Sequence, residues 1–356
     1  MIPKKKLLIV DDSAFMRKLI GDFFKESTLI EVVGIARNGA DAIRKIKSLR
    51  PDVVTMDVEM PEMNGLEALK QIMTETPVAV IMLSSNTQRG TESTLLAIEY
   101  GAVDFVAKPS GTISLDLHKI KDELVEKVEH AATIPITKIK TSALLPSNNK
   151  EVTEIQPVKH SWNKNKKKMV LIGTSTGGPR ALQEVLPNLP KDMKAPVLIV
   201  QHMPAGFTKS LADRLNQLSE IEVKEAQQGD ILRDGHAYIA PGGFHMRVQK
   251  TGSVYTIKLD DIEPPRGGHR PSVDVLLEDN SMYNDFDKIT VIMTGMGSDG
   301  SNGLKQLKKM GNVVAIAESA STCIVYGMPK AAVETKLVND VVDLDKIANT
   351  IIQYLP

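Results

Sequence analysis

A serine on a glycine-flanked turn is one of the few groups in this sequence with evident reactive potential. Ser175 lies in Gly173-Thr174-Ser175-Thr176-Gly177-Gly178-Pro179, after the apolar run 169–172 and before a helix-like segment, 180–186. A strand-to-helix turn of this kind aims a hydroxyl out of the end of a sheet. The helix N-terminus behind it offers unpaired N–H groups and a partial positive charge, which suit a developing oxyanion and a phosphate alike. Alone, the motif is open between a nucleophile, a phosphate cradle and a tight turn whose glycines serve packing. Two further groups favour the nucleophile. His202 follows the apolar run 197–200, and Asp299 lies just beyond the run 289–293, in Thr294-Gly295-Met296-Gly297-Ser298-Asp299-Gly300. A serine hydroxyl is a poor nucleophile at neutral pH; a histidine can take its proton, and a carboxylate can hold that histidine in one tautomer. Of the seven histidines, His269 competes for the role of base, in Gly267-Gly268-His269-Arg270-Pro271. His202 is preferred because it ends a predicted strand of the core that also carries Ser175.

A second constellation precedes the first in the chain. Asp11-Asp12 follow the apolar run 6–10, Asp57 follows 53–56, Ser84-Ser85 follow 78–83 and Lys108-Pro109 follow 103–107. Three carboxylates converging with one lysine make a hard, oxygen-rich site of the kind that holds Mg²⁺. The plainer alternative is that acidic residues terminate strands and cap helices, as Asp12 before Ser13 could do.

Both constellations need a scaffold that gathers strand ends. Residues 1–131 alternate strand and helix five times, the pattern of a doubly wound parallel sheet, whose sites form at the carboxyl ends of the strands. Residues 132–168 lose periodicity and are rich in Ser, Thr, Asn, Lys and Pro, as a solvated linker is. Lys164, Lys166, Lys167 and Lys168 form a basic run there, with only Trp162 nearby, which is a weak nucleic-acid signal. Residues 169–356 alternate again, with four short predicted strands between 221 and 260 and a predicted helix at 271–283. The expected class is α/β: two domains, each a doubly wound and mostly parallel sheet, the second with a β-rich insertion.

Composition excludes several other classes. The chain has 356 residues, enough for about two domains. Lys+Arg and Asp+Glu are both 44, so no net charge marks a nucleic-acid or membrane partner. Cys323 is the single cysteine; it permits no disulfide within the chain and suits a reducing cytoplasm. Leu7-Leu8-Ile9-Val10 after Lys4-Lys5-Lys6 is too short for a signal sequence and runs into two aspartates. No stretch approaches the ~20 apolar residues of a membrane span. A cytoplasmic location is expected.

These motifs carry two resemblances. Residues 1–131 resemble a response-regulator receiver domain, which implies a flavodoxin-like fold. In it Asp57 accepts a phosphoryl group from a chemotaxis histidine kinase, Asp11, Asp12 and Asp57 hold Mg²⁺, and Ser84, Lys108 and Phe105 form the phospho-switch. The chemistry is consistent: a carboxylate attacks phosphorus only when both negative charges are neutralised. Residues 169–356 resemble the catalytic domain of the chemotaxis protein-glutamate methylesterases, the CheB family. The resemblance rests on the Ser175 turn, Gln201-His202-Met203-Pro204, His269-Arg270-Pro271-Ser272-Val273-Asp274 and Met293 to Gly300. The order Ser175, His202, Asp299 departs from that of the α/β-hydrolase fold, where the acid precedes the histidine. The CheB likeness implies a Rossmann-like esterase domain that hydrolyses glutamate methyl esters on methyl-accepting chemoreceptors, releases methanol, needs no cofactor for that step, and often deamidates receptor glutamines. It implies Ser175 as nucleophile, His202 as base, Asp299 as its orienter and the Met296 amide as an oxyanion donor. Thr176, His269 and Arg270 are candidates for substrate contact. It further implies that the unphosphorylated receiver hinders substrate access and that phosphorylation of Asp57 relieves this. A phospho-regulated scaffold without catalysis is the alternative reading.

Overall fold

The structure, a computed structural model, describes residues 3–85, 87–108, 116–135, 137–138 and 166–355, with only the backbone at 116–119. Most of the expected linker, 132–168, lies outside the described residues, together with Pro109, His160 and Trp162. The chain divides into two compact units, Met1–Asn149 and Lys150–Pro356, and each is described by itself.

The first unit has strands β1 (Lys5–Val10), β2 (Ile30–Ala36), β3 (Val53–Asp57), β4 (Ala79–Ser84) and β5 (Asp104–Ala107). They alternate with helices α1 (Ala14–Phe23), α2 (Gly39–Leu49), α3 (Gly65–Glu75), α4 (Gln88–Glu99) and α5 (Asp116–Ala131). All strand pairs are parallel, in the order β2-β1-β3-β4-β5. β3 and β4 are buried along their whole length, as continuous apolar strands covered on both faces must be. Helix starts are marked locally: Ser13, Asn38, Asn64 and Thr87 each accept a backbone N–H as N-caps, and Asn64 with Glu67 completes a capping box. The strand order reverses between β1 and β3, so the crevice at their carboxyl ends is where a site belongs.

The second unit is built on seven parallel strands: β6 (Lys167–Thr174), β7 (Val197–Gln201), β8 (Glu222–Glu225), β9 (His236–Ile239), β12 (Phe286–Ile292), β13 (Val313–Glu318) and β14 (Asp340–Val342). Their order is β14-β13-β12-β6-β7-β9-β8. β10 (His245–Thr251) and β11 (Val254–Asp260) form a separate antiparallel hairpin. Of the four short strands expected between 221 and 260, two therefore extend the main sheet and only two form the insertion. Ala237-Tyr238-Ile239 is buried throughout, which suits a parallel interior strand, whereas β11 alternates buried and exposed residues. The helices are α6 (Gly178–Val185), α7 (Phe207–Leu218), α8 (Val273–Asn280), α9 (Ser301–Met310), α10 (Met328–Glu334) and α11 (Leu344–Tyr354). α8 is shorter than the expected 271–283, because Ser272 caps it and sets its first residue at Val273. Leu171, Leu198, Tyr238, Val273, Leu276 and Leu304 belong to one buried cluster that joins sheet, hairpin and helices. Here the strand order reverses between β6 and β12. No helix among the described residues is long and apolar enough to cross a membrane.

Candidate active site and phosphoacceptor site

The reversal between β6 and β12 brings the two predicted catalytic turns together. Ser175 follows β6, and its N–H donates to the carbonyl of Thr294 at 3.0 Å, just beyond β12. The approach is close enough to require a glycine: a Cβ on Gly295 would stand 2.7 Å from the Ser175 Cβ. Gln201, at the end of β7, ties the turn down from the other side. Its amide nitrogen donates to the carbonyls of Ser175 and His202, each at 3.0 Å, and its amide oxygen accepts from Thr174 Oγ1 at 2.7 Å. Thr294 Oγ1 donates to the carbonyl of Thr176 at 2.9 Å. Ser175 itself is buried to its last tenth, with 9% exposure, and among the described residues its hydroxyl has no hydrogen-bond partner.

His202 and Asp299 meet as the sequence predicts. His202 Nε2 lies 2.8 Å from Asp299 Oδ2, with both side chains largely buried. His202 Nδ1 is buried and has no partner. With Nε2–H donating to the carboxylate, Nδ1 carries the free lone pair that can accept a proton.

Asp299 is held more firmly than the sequence suggests. Its Oδ1 accepts from Ser272 Oγ at 2.9 Å, Asp274 N at 2.8 Å and Gly300 N at 3.0 Å; its Oδ2 also accepts from Val273 N at 2.6 Å. The carboxylate thus sits on the N-terminus of α8, where orphan N–H groups and the helix dipole favour a negative charge. Burial opposes ionisation, yet the hydrogen bond and charge of His202 and the N–H groups of Asp274 and Val273 hold the pKa down at about 2. Asp274 returns the arrangement: its Oδ1 accepts from Gly300 N at 2.9 Å and Gly303 N at 2.7 Å, at the start of α9. Each helix is capped by a carboxylate from the segment that begins the other. Ser272 and Asp274 stand in a motif noted in the sequence, but nothing local signals this exchange.

The remaining candidates are placed as follows. The Met296 N–H has no backbone acceptor among the described residues, and its side chain meets Thr176 Oγ1 at 3.6 Å. His269 stacks on His202, with ring centroids 3.8 Å apart and planes within 10°. Arg270 is engaged elsewhere: its guanidinium donates to the carbonyls of Asp261 at 2.6 Å and Glu263 at 3.1 Å. Cys323 is buried.

In the first unit the reversal between β1 and β3 gathers the carboxylates. Lys108 Nζ lies 2.7 Å from Asp57 Oδ2 and 2.9 Å from Asp11 Oδ2. Asp57 Oδ1 accepts only the N–H of Glu59, at 3.3 Å, among the described residues. Burial pushes the Asp57 pKa up to about 6, assisted by Asp11 and opposed by the charge and hydrogen bond of Lys108 and the Glu59 N–H. Burial would weaken the Lys108 cation, but the two carboxylates more than reverse this and hold its pKa above the usual range. Lys108 is therefore the fixed charge, and Asp57 the group for which charge is costly. Asp11, Asp12 and Asp57 each bring an oxygen within 4.8 Å of the others, a donor set that fits a hard divalent cation. Ser84 is fully buried and donates to the carbonyl of Gly90 at 3.0 Å; Phe105 is buried at 2% exposure.

Both units match known family models: a response regulator receiver domain over residues 7–118 and a CheB methylesterase over residues 170–351. A protein-glutamate methylesterase/protein-glutamine glutaminase of Geobacillus kaustophilus is 54% identical over 350 residues, covering 98% of this chain and 98% of its own. One so named from Bacillus subtilis is 51% identical over 350 residues, covering 97% of each. The crystal structure of the Thermotoga maritima CheB methylesterase catalytic domain covers 52% of this chain and 97% of its own, at 44% identity and a TM-score of 0.50.

Proposed function

This chain belongs to the CheB methylesterase family and carries a response-regulator receiver domain ahead of the catalytic one; on that basis we propose that it hydrolyses glutamate methyl esters on chemoreceptors with Ser175 as nucleophile, under control of phosphorylation at Asp57. The observation that carries the chemical part is the His202 imidazole, bound through Nε2 to a carboxylate held ionised and left open at a buried Nδ1.

Ser175 Oγ attacks the γ-carbonyl carbon of the ester while His202 Nδ1 takes the hydroxyl proton. The imidazolium so formed is stabilised by Asp299, which keeps its negative charge throughout. The carbonyl oxygen becomes an oxyanion and accepts the Met296 N–H; one such donor contributes roughly 3 kcal/mol. His202 then gives its proton to the departing methoxide, and methanol leaves. Water, deprotonated by the same Nδ1, attacks the acyl-serine; the bond to Oγ breaks, His202 returns the proton to Ser175 Oγ, and a free glutamate is released. The chemistry runs equally on a glutamine side chain, with ammonia as the leaving group, in keeping with the double activity in the relatives' names. Thr176, next to the serine and against the Met296 side chain, borders the approach to it.

In the receiver, Asp57 Oδ attacks the phosphorus of a phosphohistidine on a chemotaxis histidine kinase; the P–O bond forms as the P–N bond breaks and the kinase imidazole leaves. Mg²⁺, held by Asp11, Asp12 and Asp57, would supply charge neutralisation. Lys108 supplies the fixed positive charge of the protein itself. The aspartyl phosphate draws Ser84 and the Phe105 region into a new arrangement, which relieves hindrance of the esterase by the receiver. The setting is the cytoplasm, where kinase and receptor signalling domains are found.

Methanol release from methylated receptor membranes tests the whole reading. Wild type releases methanol, a phosphodonor with Mg²⁺ raises the rate, and Ser175→Ala lowers it by roughly 10⁵-fold or more. Release that survives Ser175→Ala overturns the nucleophile; release indifferent to phosphodonor overturns the switch.

A further inference from the structure

Asp299 fixes His202 along one edge only. A single hydrogen bond defines the direction of the Nε2–H vector but leaves the ring free to tilt about it, and tilt moves Nδ1. The opposite control lies on the face of the ring. His269 stacks flat on His202, centroids 3.8 Å apart and planes 10° from parallel. His269 reaches this place on a tight turn: Arg266 and His269 exchange both backbone hydrogen bonds at 3.0 Å around Gly267 and Gly268. Both glycines have positive φ, 59° and 86°, so the turn is open only to residues that tolerate that region. Arg266 is tied to Glu278 and, at 2.6 Å, to Glu263. Glu278 lies on α8, the helix whose N-terminus carries Asp299. The edge and the face of the catalytic imidazole are thus referenced to one rigid element.

We propose that His269 is a positioning residue: its flat face, stacked on His202, fixes the imidazole plane and with it the position of Nδ1 for proton transfer, and the Arg266–Glu278 pair keeps that face in place. This rests on Ser175 and His202 being the reacting pair. The role requires a planar ring and no proton at His269. Flat aromatic contacts of this kind are favourable and directional, and small misplacement of a catalytic group costs up to roughly a hundredfold in rate.

The test uses the full chain, phosphodonor and methylated receptor membranes, with His269→Ala, His269→Phe, Arg266→Gln and Ser175→Ala. His269→Ala is expected to lower kcat about 10- to 100-fold with KM little changed. His269→Phe, which keeps a flat face but no ring nitrogen, restores most of that loss, and Arg266→Gln gives a smaller kcat defect of the same kind. His269→Ala with wild-type kcat overturns the proposal. So does a Phe variant as slow as Ala, which assigns the role to a ring nitrogen, or a loss confined to KM, which assigns it to substrate contact. Activity retained by Ser175→Ala overturns the underlying chemistry instead, so the two failures are told apart. Unchanged thermal midpoints for the Phe and Gln variants keep a kcat loss from being read as unfolding.

Discussion

Two aspartates occupy equivalent places in the two units, at the carboxyl ends of strands where a parallel sheet reverses its order, and they are treated in opposite ways. Asp299 receives five donors, three of them backbone N–H groups on or beside helix N-termini, and its pKa is held down at about 2. Asp57 receives one backbone N–H and one ammonium, and burial raises its pKa to about 6. In the proposed function the first carboxylate orients a base and does not itself react, and its lone pairs are occupied and its charge secured accordingly. In that function the second must form a bond to phosphorus, and it has few donors and a raised pKa, as a group awaiting a cation would. A carboxylate's role at a strand end is therefore legible in how many donors it has been given.

The largest expected effect removes that distinction at the catalytic end. Asp299→Asn keeps the shape but reverses one hydrogen-bond direction; the amide NH₂ facing His202 favours the wrong tautomer, and kcat falls by roughly 10⁴-fold in methanol release. A modest loss would mean that helix α8, and not the charge, does the orienting. At the other end, Asp57→Asn abolishes the response to phosphodonor and Mg²⁺; a surviving response would place the acceptor elsewhere. The free Asp57 carboxyl, followed by ¹³C NMR without Mg²⁺, should titrate near 6 and move downward when Mg²⁺ is added. A midpoint near 4 without metal would erase the contrast.

The two aspartates also contribute to acid stability with opposite signs. Asp299 is depressed below its unfolded value, so its contribution is complete above about pH 4 and is lost as pH falls toward 2, a difference of roughly 2 kcal/mol. Asp57 is raised, so the folded receiver gains relative stability as pH falls from about 6 toward 4. Unfolding of Asp299→Asn should show less loss below pH 4 than wild type, and that of Asp57→Asn less dependence between pH 4 and 6. The smallest effect belongs to Ser272→Ala, which removes a helix cap and one of the five donors. It should cost about 1 kcal/mol of stability, raise the Asp299 pKa and slow catalysis only a few-fold.

Much of this was readable from strand ends. Continuous apolar runs marked β1, β3, β4, β6, β7 and β12, and most of the candidate site residues lie at the ends of those strands or in the segments that follow them, because parallel strands point their carboxyl ends to one edge. Ser13, Asn64 and Ser272 are of the residue types that cap helices, though the helix expected from 271 overran the Ser272 cap. What escaped the sequence depends on contacts between segments far apart in the chain. Gln201 gripping the Ser175 carbonyl, Asp274 capping α9 and His269 lying on His202 have no local signature. β14 was not anticipated because it is three half-exposed residues at a sheet edge, too short for a period to emerge. The short strands at 222–225 and 236–239 looked like an insertion because their brevity hides the fact that 236–239 pairs in register with β7, and 222–225 with 236–239 in turn.

The exchange of carboxylates between α8 and α9 also says how the site comes apart. The amides of Val273 and Asp274 are shielded by Asp299, and those of Gly300 and Gly303 by Asp274. Withdrawing either segment exposes the amides of both, so in deuterated water these four positions should exchange as a single set at a single opening free energy. The orienting carboxylate has no half-assembled state: the segment that supplies it and the segment that receives it open and close as one latch.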